Sequence, residues 1–226
     1  MRATNEEIAA VLRERICLFA GPGDMLLHEG QLAAEFGVSR TPIRQVLQML
    51  AYESLVETRS GVGTIVSPLL PERRRNDEIA FRALLSAAAS CPVPGRYGLD
   101  EAGALLRKAR VLLRAEGPIT RDRLFHLLEH LLDATAILVD DHILVAAMRA
   151  SCLRYMRWVV TELPLASQDA EAEYAEWLEA GIRLAVSAPS ADLLRHLARR
   201  KDCPVAADPT PEAAPDTASG DADPGA

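Results

Sequence analysis

Residues 32–44 decide the fold of the first part of the chain; they read Leu32-Ala33-Ala34-Glu35-Phe36-Gly37-Val38-Ser39-Arg40-Thr41-Pro42-Ile43-Arg44. The apolar positions of the first half predict a short helix over about 29–36, which Gly37 ends. Ser39 is a good N-cap for another helix that runs to residue 50 or 53. Two helices joined by so short a turn predict a helix-turn-helix, a unit whose second helix enters the DNA major groove.

The second of these helices is predicted to have an apolar and a polar face. Its apolar side chains recur with the helical period, at Ile43, Val46, Leu47 and Leu50. The other face carries side chains suited to nucleic acid, since Arg pairs with guanine and Gln with adenine. These side chains are Arg40, Thr41, Arg44, Gln45 and Gln48.

The segments on either side are predicted to complete a winged domain. Thr4 and Glu7 have capping-box spacing, and the apolar side chains that follow with helical period are Ile8, Val11, Leu12 and Ile16. This helix is expected to stop at Gly21-Pro22-Gly23. Downstream, β-branched runs over 55–58 and 64–66 flank a glycine-containing loop and predict a β-hairpin. Arg59, near the tip, suits a minor groove or a phosphate.

Residues 5–67 closely resemble the GntR family of bacterial regulators. The resemblance rests on the stretch 32–44, on Pro22-Gly23, Leu27 and Glu29 before it, and on Gly63-Thr64-Ile65-Val66 after it. It implies that Arg40 and Arg44 contact DNA, with Ser39 and Thr41 touching the backbone and the wing glycines Gly61 and Gly63 approaching it. Gln45 is a further candidate for a groove contact. Some winged domains bind protein instead of DNA, which is the first alternative.

The remainder of the chain is predicted to be helical. Helical patterns near 77–89, 100–115, 120–139, 141–161, 169–187 and 190–201 alternate with prolines and glycines. The predicted fold is therefore mainly α, with a winged helix-turn-helix (three helices and a hairpin wing) at residues 1–68 and a linker at 69–76. An antiparallel helical bundle follows at 77–203, and an acidic tail rich in Pro, Ala, Asp and Gly at 204–226 is expected to be disordered.

The helical part resembles, more weakly, the FCD effector-binding domain of one GntR subfamily. Arg82 and Leu85, the stretch Asp122-Arg123-Leu124-Phe125-His126, and His196 carry this resemblance. It implies a dimerising domain that binds a divalent metal (Zn, Ni or Mn) and a small carboxylate. Asp122 and His126 are one helical turn apart and His196 would join them, while Arg82 would hold the effector carboxylate.

Tyr174 stands where the family pattern has its third metal-binding histidine. A protonated tyrosine is a poor ligand for a divalent metal, so Tyr174 is expected to face the effector pocket. The interpretation leaves two outcomes open: a weakened metal site with water in place of one ligand, or a metal-free pocket.

Composition bears on the remaining function classes. The net charge is −7, and the tail contributes −5 of it through Asp208, Glu212, Asp216, Asp221 and Asp223; the acidity therefore does not argue against DNA binding by the first domain. The sequence lacks a signal peptide and any apolar run of roughly 18 residues, so a cytoplasmic protein is expected. Four well-separated cysteines indicate reduced thiols. No catalytic motif is found, and the chain is not expected to be an enzyme.

These features together predict a DNA-binding transcription regulator, more often a repressor in this family. A homodimer would bind a palindromic operator, because the twofold symmetry of the protein must match that of the DNA. A small-molecule effector, an organic acid by resemblance, would modulate it. The alternative is a winged-helix protein whose helical domain only dimerises or binds another protein.

Overall fold

A computed structural model describes residues 3–19, 25–117, 119–161 and 168–199. The first part forms a winged helix-turn-helix, as the sequence predicts. Its elements are α1 (Asn5–Leu18), β1 (Leu26–Leu27), α2 (Glu29–Glu35), α3 (Arg40–Tyr52), β2 (Val56–Arg59) and β3 (Gly63–Val66). The predicted break at Gly21-Pro22-Gly23 lies outside the described residues.

Helix α1 starts with the predicted capping box. The hydroxyl of Thr4 accepts a hydrogen bond from the Glu7 backbone N–H at 3.2 Å, and the Glu7 carboxylate accepts from the Thr4 N–H at 2.7 Å. The bonds that the Glu7 carboxylate accepts, from the Thr4 N–H and from the Thr4 hydroxyl at 3.0 Å, hold the pKa of this carboxyl below its usual value. Ile8, Leu12 and Ile16 are buried, whereas Val11 of the same apolar set is 41% exposed.

We predict that Thr4→Ala destabilises the winged domain by about 1 kcal/mol, because the Glu7 backbone N–H loses the Thr4 hydroxyl as its partner. Urea denaturation followed by circular dichroism measures the change. Thr4→Ser keeps the hydroxyl and is the matched control, expected to stay close to the wild-type midpoint. Equal losses in both variants would show that the cap is not the cause.

The turn between α2 and α3 depends on a left-handed residue. Gly37 has φ +64°, a conformation in which a Cβ is strained, so a glycine is favoured there. Ser39 occupies the N-cap position of α3. The four predicted core positions of α3, Ile43, Val46, Leu47 and Leu50, are buried, and this burial sets which face of α3 remains in solvent.

The wing is an antiparallel sheet with strand order β1-β3-β2. The predicted hairpin pairs Val56 with Val66 and Arg59 with Gly63. Strand β1 was not predicted, because two residues are too few to show a period of two. It covers the other edge of β3, pairing Leu26 with Ile65.

The second part is helical, close to the predicted pattern. After a 3₁₀ turn at Pro71–Arg73 come α4 (Arg74–Ala88), α5 (Leu99–Arg114), α6 (Arg121–Ala136), α7 (His142–Thr161), α8 (Gln168–Ser187) and α9 (Ser190–Ala198). Helix α4 therefore begins inside the predicted linker. Residues 200–226, including the predicted acidic tail, lie outside the described part. Among the described residues, no helix is long and apolar enough to cross a membrane.

Apolar side chains fill the interior of this helical part. Leu106, Leu124 and Phe125 are at most 1% exposed. The cavity bounded by Phe81, Trp177 and Leu197 measures about 10 Å³, roughly the space that one water molecule needs. This cavity thus has no room for an organic ligand without rearrangement.

The winged domain packs on the helical part through α1 and the segment after β3. The Sγ of Cys17 lies 4.0 Å from the Leu153 carbonyl oxygen of α7, and both side chains are buried. Arg157, also buried, donates from Nη1 to the Ser67 carbonyl at 2.7 Å. We call this contact between the two parts the domain junction.

Candidate nucleic-acid interface

Helix α3 presents the predicted polar face to solvent. Arg40, Thr41, Arg44 and Gln45 are exposed, and Ser39 before them is exposed as well. They are held in place by the buried face of the same helix, since Ile43 and Val46 are 0% exposed. A helix fixed on one side with cations and amides on the other can be inserted into a groove without unfolding.

Two polar contacts position this face. The Nε of Arg44 donates to the Glu29 carboxylate of α2 at 2.8 Å, and the Arg44 side chain stays 62% exposed. Gln45 accepts from the Asn5 side-chain amide at 2.9 Å. Ion pairs this exposed contribute little stability, so Arg44 can exchange Glu29 for a phosphate or a base at small cost. The sequence pattern does not reveal Asn5 or Glu29 as partners, because each is remote in the chain from the residue it contacts.

Arg40 lies against the start of α2. A Cβ placed on Gly30 would be 3.6 Å from the Nη2 of Arg40. A methyl group at residue 30 would therefore make an ordinary van der Waals contact with the Arg40 guanidinium.

The wing carries its predicted residues at the exposed tip. Arg59 bonds the Glu57 carboxylate at 2.8 Å and remains 42% exposed. Gly61 and Gly63 have φ +76° and +119°, which favour glycine, and the Val62 N–H closes the turn on the Arg59 carbonyl at 3.1 Å. The bare backbone of this turn can approach another backbone closely.

Residues 4–66 match the model of the bacterial regulatory proteins of the gntR family. They form a GntR domain. The match covers the three helices and the wing just described, and it includes every predicted DNA-contacting residue of this part.

Two curated relatives are similar over this GntR domain. An uncharacterized HTH-type transcriptional regulator of Streptomyces ambofaciens is 38% identical over 72 residues, which are 32% of this chain and 30% of that protein. The repressor MngR of a mannosyl-D-glycerate transport/metabolism system in Escherichia coli K12 is 40% identical over 74 residues, 32% of this chain and 29% of the repressor. The chain thus matches under a third of either relative's length.

A solved structure is similar over most of the chain. The transcriptional regulator GntR from Rhodococcus sp. RHA1 has a TM-score of 0.53 and 17% identity, and the alignment covers 86% of this chain and 93% of that one. At this identity the likeness shows a common fold, with a helical part after the GntR domain.

The predicted metal residues lie in two places. Among the described residues, one group of three has ligand atoms within 4.8 Å of one another: Glu14, Asp122 and His126. The Nε2 of His126 is 3.6 Å from Glu14 and 3.7 Å from Asp122, and its Nδ1 is 3.3 Å from Glu129. Glu14 belongs to the GntR domain and was not predicted, because only folding brings α1 to α6.

His196 is not part of this group. It stacks on Trp177 with ring centroids 5.2 Å apart, and its Nε2 lies 2.9 Å from the Trp177 carbonyl oxygen. A metal bound by Asp122, His126 and His196 together would require these side chains to move. The metal itself remains a prediction.

The two predicted effector residues do not share a described pocket. Arg82 is exposed on α4 and donates to the Glu78 carboxylate at 3.0 Å, one turn before it. The side chain of Tyr174 lies outside the described part of α8. The roles of both residues remain predictions.

Proposed function

We propose that the chain is a transcription regulator that binds double-stranded DNA, with α3 in the major groove and the wing beside it. The observation that carries the proposal is the exposed pair Arg40 and Arg44 on the second helix of a GntR domain, one turn apart and backed by a buried apolar face. Arg at base edges is the commonest specific protein–DNA contact. Arg59 of the wing would add a phosphate or minor-groove contact.

The finer proposal is a repressor that binds a palindromic operator as a homodimer. MngR and the gluconate operon transcriptional repressor of Bacillus licheniformis are both repressors, which supports repression; the latter is 43% identical over 54 residues, 24% of this chain and 22% of that protein. We further propose an FCD-type helical domain that dimerises and senses a small molecule, either an organic acid with a divalent metal or a ligand without metal. A two-domain fold shared with the Rhodococcus regulator supports this arrangement.

A second candidate function is that the helical part only dimerises or binds a protein. The small size of the cavity bounded by Phe81, Trp177 and Leu197 favours it, since about 10 Å³ holds no organic effector. Calorimetry with organic acids and metals separates the two candidates, because a purely dimerising domain gives no heat of ligand binding.

The test of DNA binding is a gel-shift titration on the promoter beside the chain's own gene. We predict binding by wild type at low salt and a loss of about tenfold or more for Arg44→Ala, since one good Arg–base contact contributes roughly 1–3 kcal/mol. Arg114→Ala is the matched control: it removes an equally exposed Arg, 61% exposed and paired with Glu179, from α5. No shift with wild type, or an equal loss of DNA affinity in both variants, would disprove the proposal.

A further inference from the structure

An open groove lies at the domain junction, between the end of α3 and the first half of α7. Its volume is about 740 Å³. Met49 and Tyr52 contribute to it from α3, and Val145, Ala146 and Arg149 from α7. Known ligand pockets have volumes of roughly 300–1,000 Å³, so the groove is large enough for a small organic molecule, which the cavity bounded by Phe81, Trp177 and Leu197 is not.

The groove has apolar surface and an exposed aromatic ring. Met49, Val145 and Ala146 supply the apolar surface. Tyr52 is 88% exposed although it ends a helix whose other face is packed. An exposed ring beside apolar side chains suits a ligand with an apolar body, and the face of a ring attracts a cation.

The charge of the groove is negative. Glu53, Asp140 and Asp141 contribute three carboxylates to the lining, against the guanidinium of Arg149 and the imidazole of His142. Arg149 is paired with Asp133 at 2.7 Å, and Glu53 with Arg13 at 2.6 Å. In the described part of the chain, this leaves Asp140 and Asp141 to set the sign of the groove, although Asp141 also accepts from the Leu144 N–H at 2.8 Å.

We propose that this groove is an effector site for a small organic cation with an apolar body. The inference rests on the proposed DNA-binding function in one respect: the effector acts on DNA affinity because α3 is both a wall of the groove and the helix that enters DNA. A ligand that contacts α3 and α7 together binds best at one placement of the domains. Because coupling between two binding sites is reciprocal, the ligand changes the affinity of the chain for operator DNA by the same factor by which the DNA changes the affinity of the chain for the ligand.

The first test is calorimetry on the full chain without DNA, with a matched pair of probes. Tetraphenylphosphonium and tetraphenylborate have nearly the same shape and opposite charges. We expect the cation to bind saturably and the anion at least about tenfold more weakly, because the carboxylates attract one and repel the other. Equal binding of both probes, or binding of neither, would overturn the proposal.

Variants place the binding in the groove. Ala146→Trp, an exposed position on the groove side of α7, fills the space and should abolish binding of the cation; Asp140→Asn should weaken it several-fold with little effect on folding. Asp100→Asn, which removes an exposed carboxylate from α5, is the charge-matched control and should bind like wild type. Cation binding that survives both groove variants would overturn the site. Occupation of the groove by a second copy of the chain would also overturn the site. In that case Ala146→Trp would dissociate the oligomer in sedimentation and leave cation binding unchanged.

The gel shift then tests the coupling. Tetraphenylphosphonium is expected to change operator affinity of wild type by about 5-fold or more and to leave Ala146→Trp unaffected. Calorimetry needs no DNA, so a chain that binds the cation but no operator disproves the proposed function alone. A chain that binds operator but no cation disproves the effector site alone.

Discussion

Cys17 is expected to react with 5,5′-dithiobis(2-nitrobenzoate) about a thousandfold more slowly than an unperturbed thiol at pH 8 while the chain is folded. Burial at the domain junction raises the pKa of the Cys17 thiol to about 12, which leaves very little of the reactive thiolate. Its side chain is 1% exposed, so the reagent is also excluded.

Labelling at timed intervals, followed by peptide mass spectrometry, measures this difference without any substitution. Cys91 is the internal control, because it is partly exposed and should label early. In denaturant the two cysteines should label at similar rates. If Cys17 labels as fast as Cys91 in the native chain, the domain junction is open in solution. Slow labelling would make Cys17 a reporter of any effector or operator that separates the two parts.

Phe125→Ala is expected to destabilise the helical part by roughly 3–5 kcal/mol, from lost burial and the cavity left behind. Phe125 is 1% exposed and packs edge-on against His126, with ring centroids 5.3 Å apart. Its neighbours on α6 are buried leucines, which are fixed by the helix and cannot fully close the space.

Thermal and urea denaturation measure the loss, with Tyr97→Ala as the control because it removes an aromatic ring that is 73% exposed. Tyr97→Ala should change the midpoint little. If the two variants lose the same stability, the helical interior is not close-packed. A mobile interior would then admit an effector, and the case for the groove at the domain junction would weaken.

The helix-turn-helix could be predicted almost completely because its signals are local. Gly37, the N-cap position of Ser39 and the period of Ile43, Val46 and Leu47 each act within one or two turns of helix. The same holds for most helix bounds, although α4 begins at Arg74 and not at Asp77. The exposure of Val11 was beyond prediction, because a helical period shows only which residues share a face, not how much of that face is covered.

In the candidate sites too, local patterns predict some features and only the tertiary structure shows the others. The exposure of Arg40 and Arg44 follows from the period of α3, and their contact with DNA is still a prediction. The partners Glu29 and Asn5, and the approach of Glu14 to Asp122 and His126, depend on contacts between distant segments. A spacing of one helical turn made Asp122 and His126 neighbours, but it carried no information on His196 or on α1.

The sequence by itself determined that this chain begins with a winged helix-turn-helix, which of its side chains face away from the core, and that helices follow. These properties depend on short-range periodicity, caps and turns. Only the tertiary structure decided that the helical interior is filled, that Cys17 and Arg157 are buried at a junction, and that a groove with a negative rim opens beside α3. Packing between segments far apart in the chain creates cavities and junctions, and no local pattern records which segments will meet.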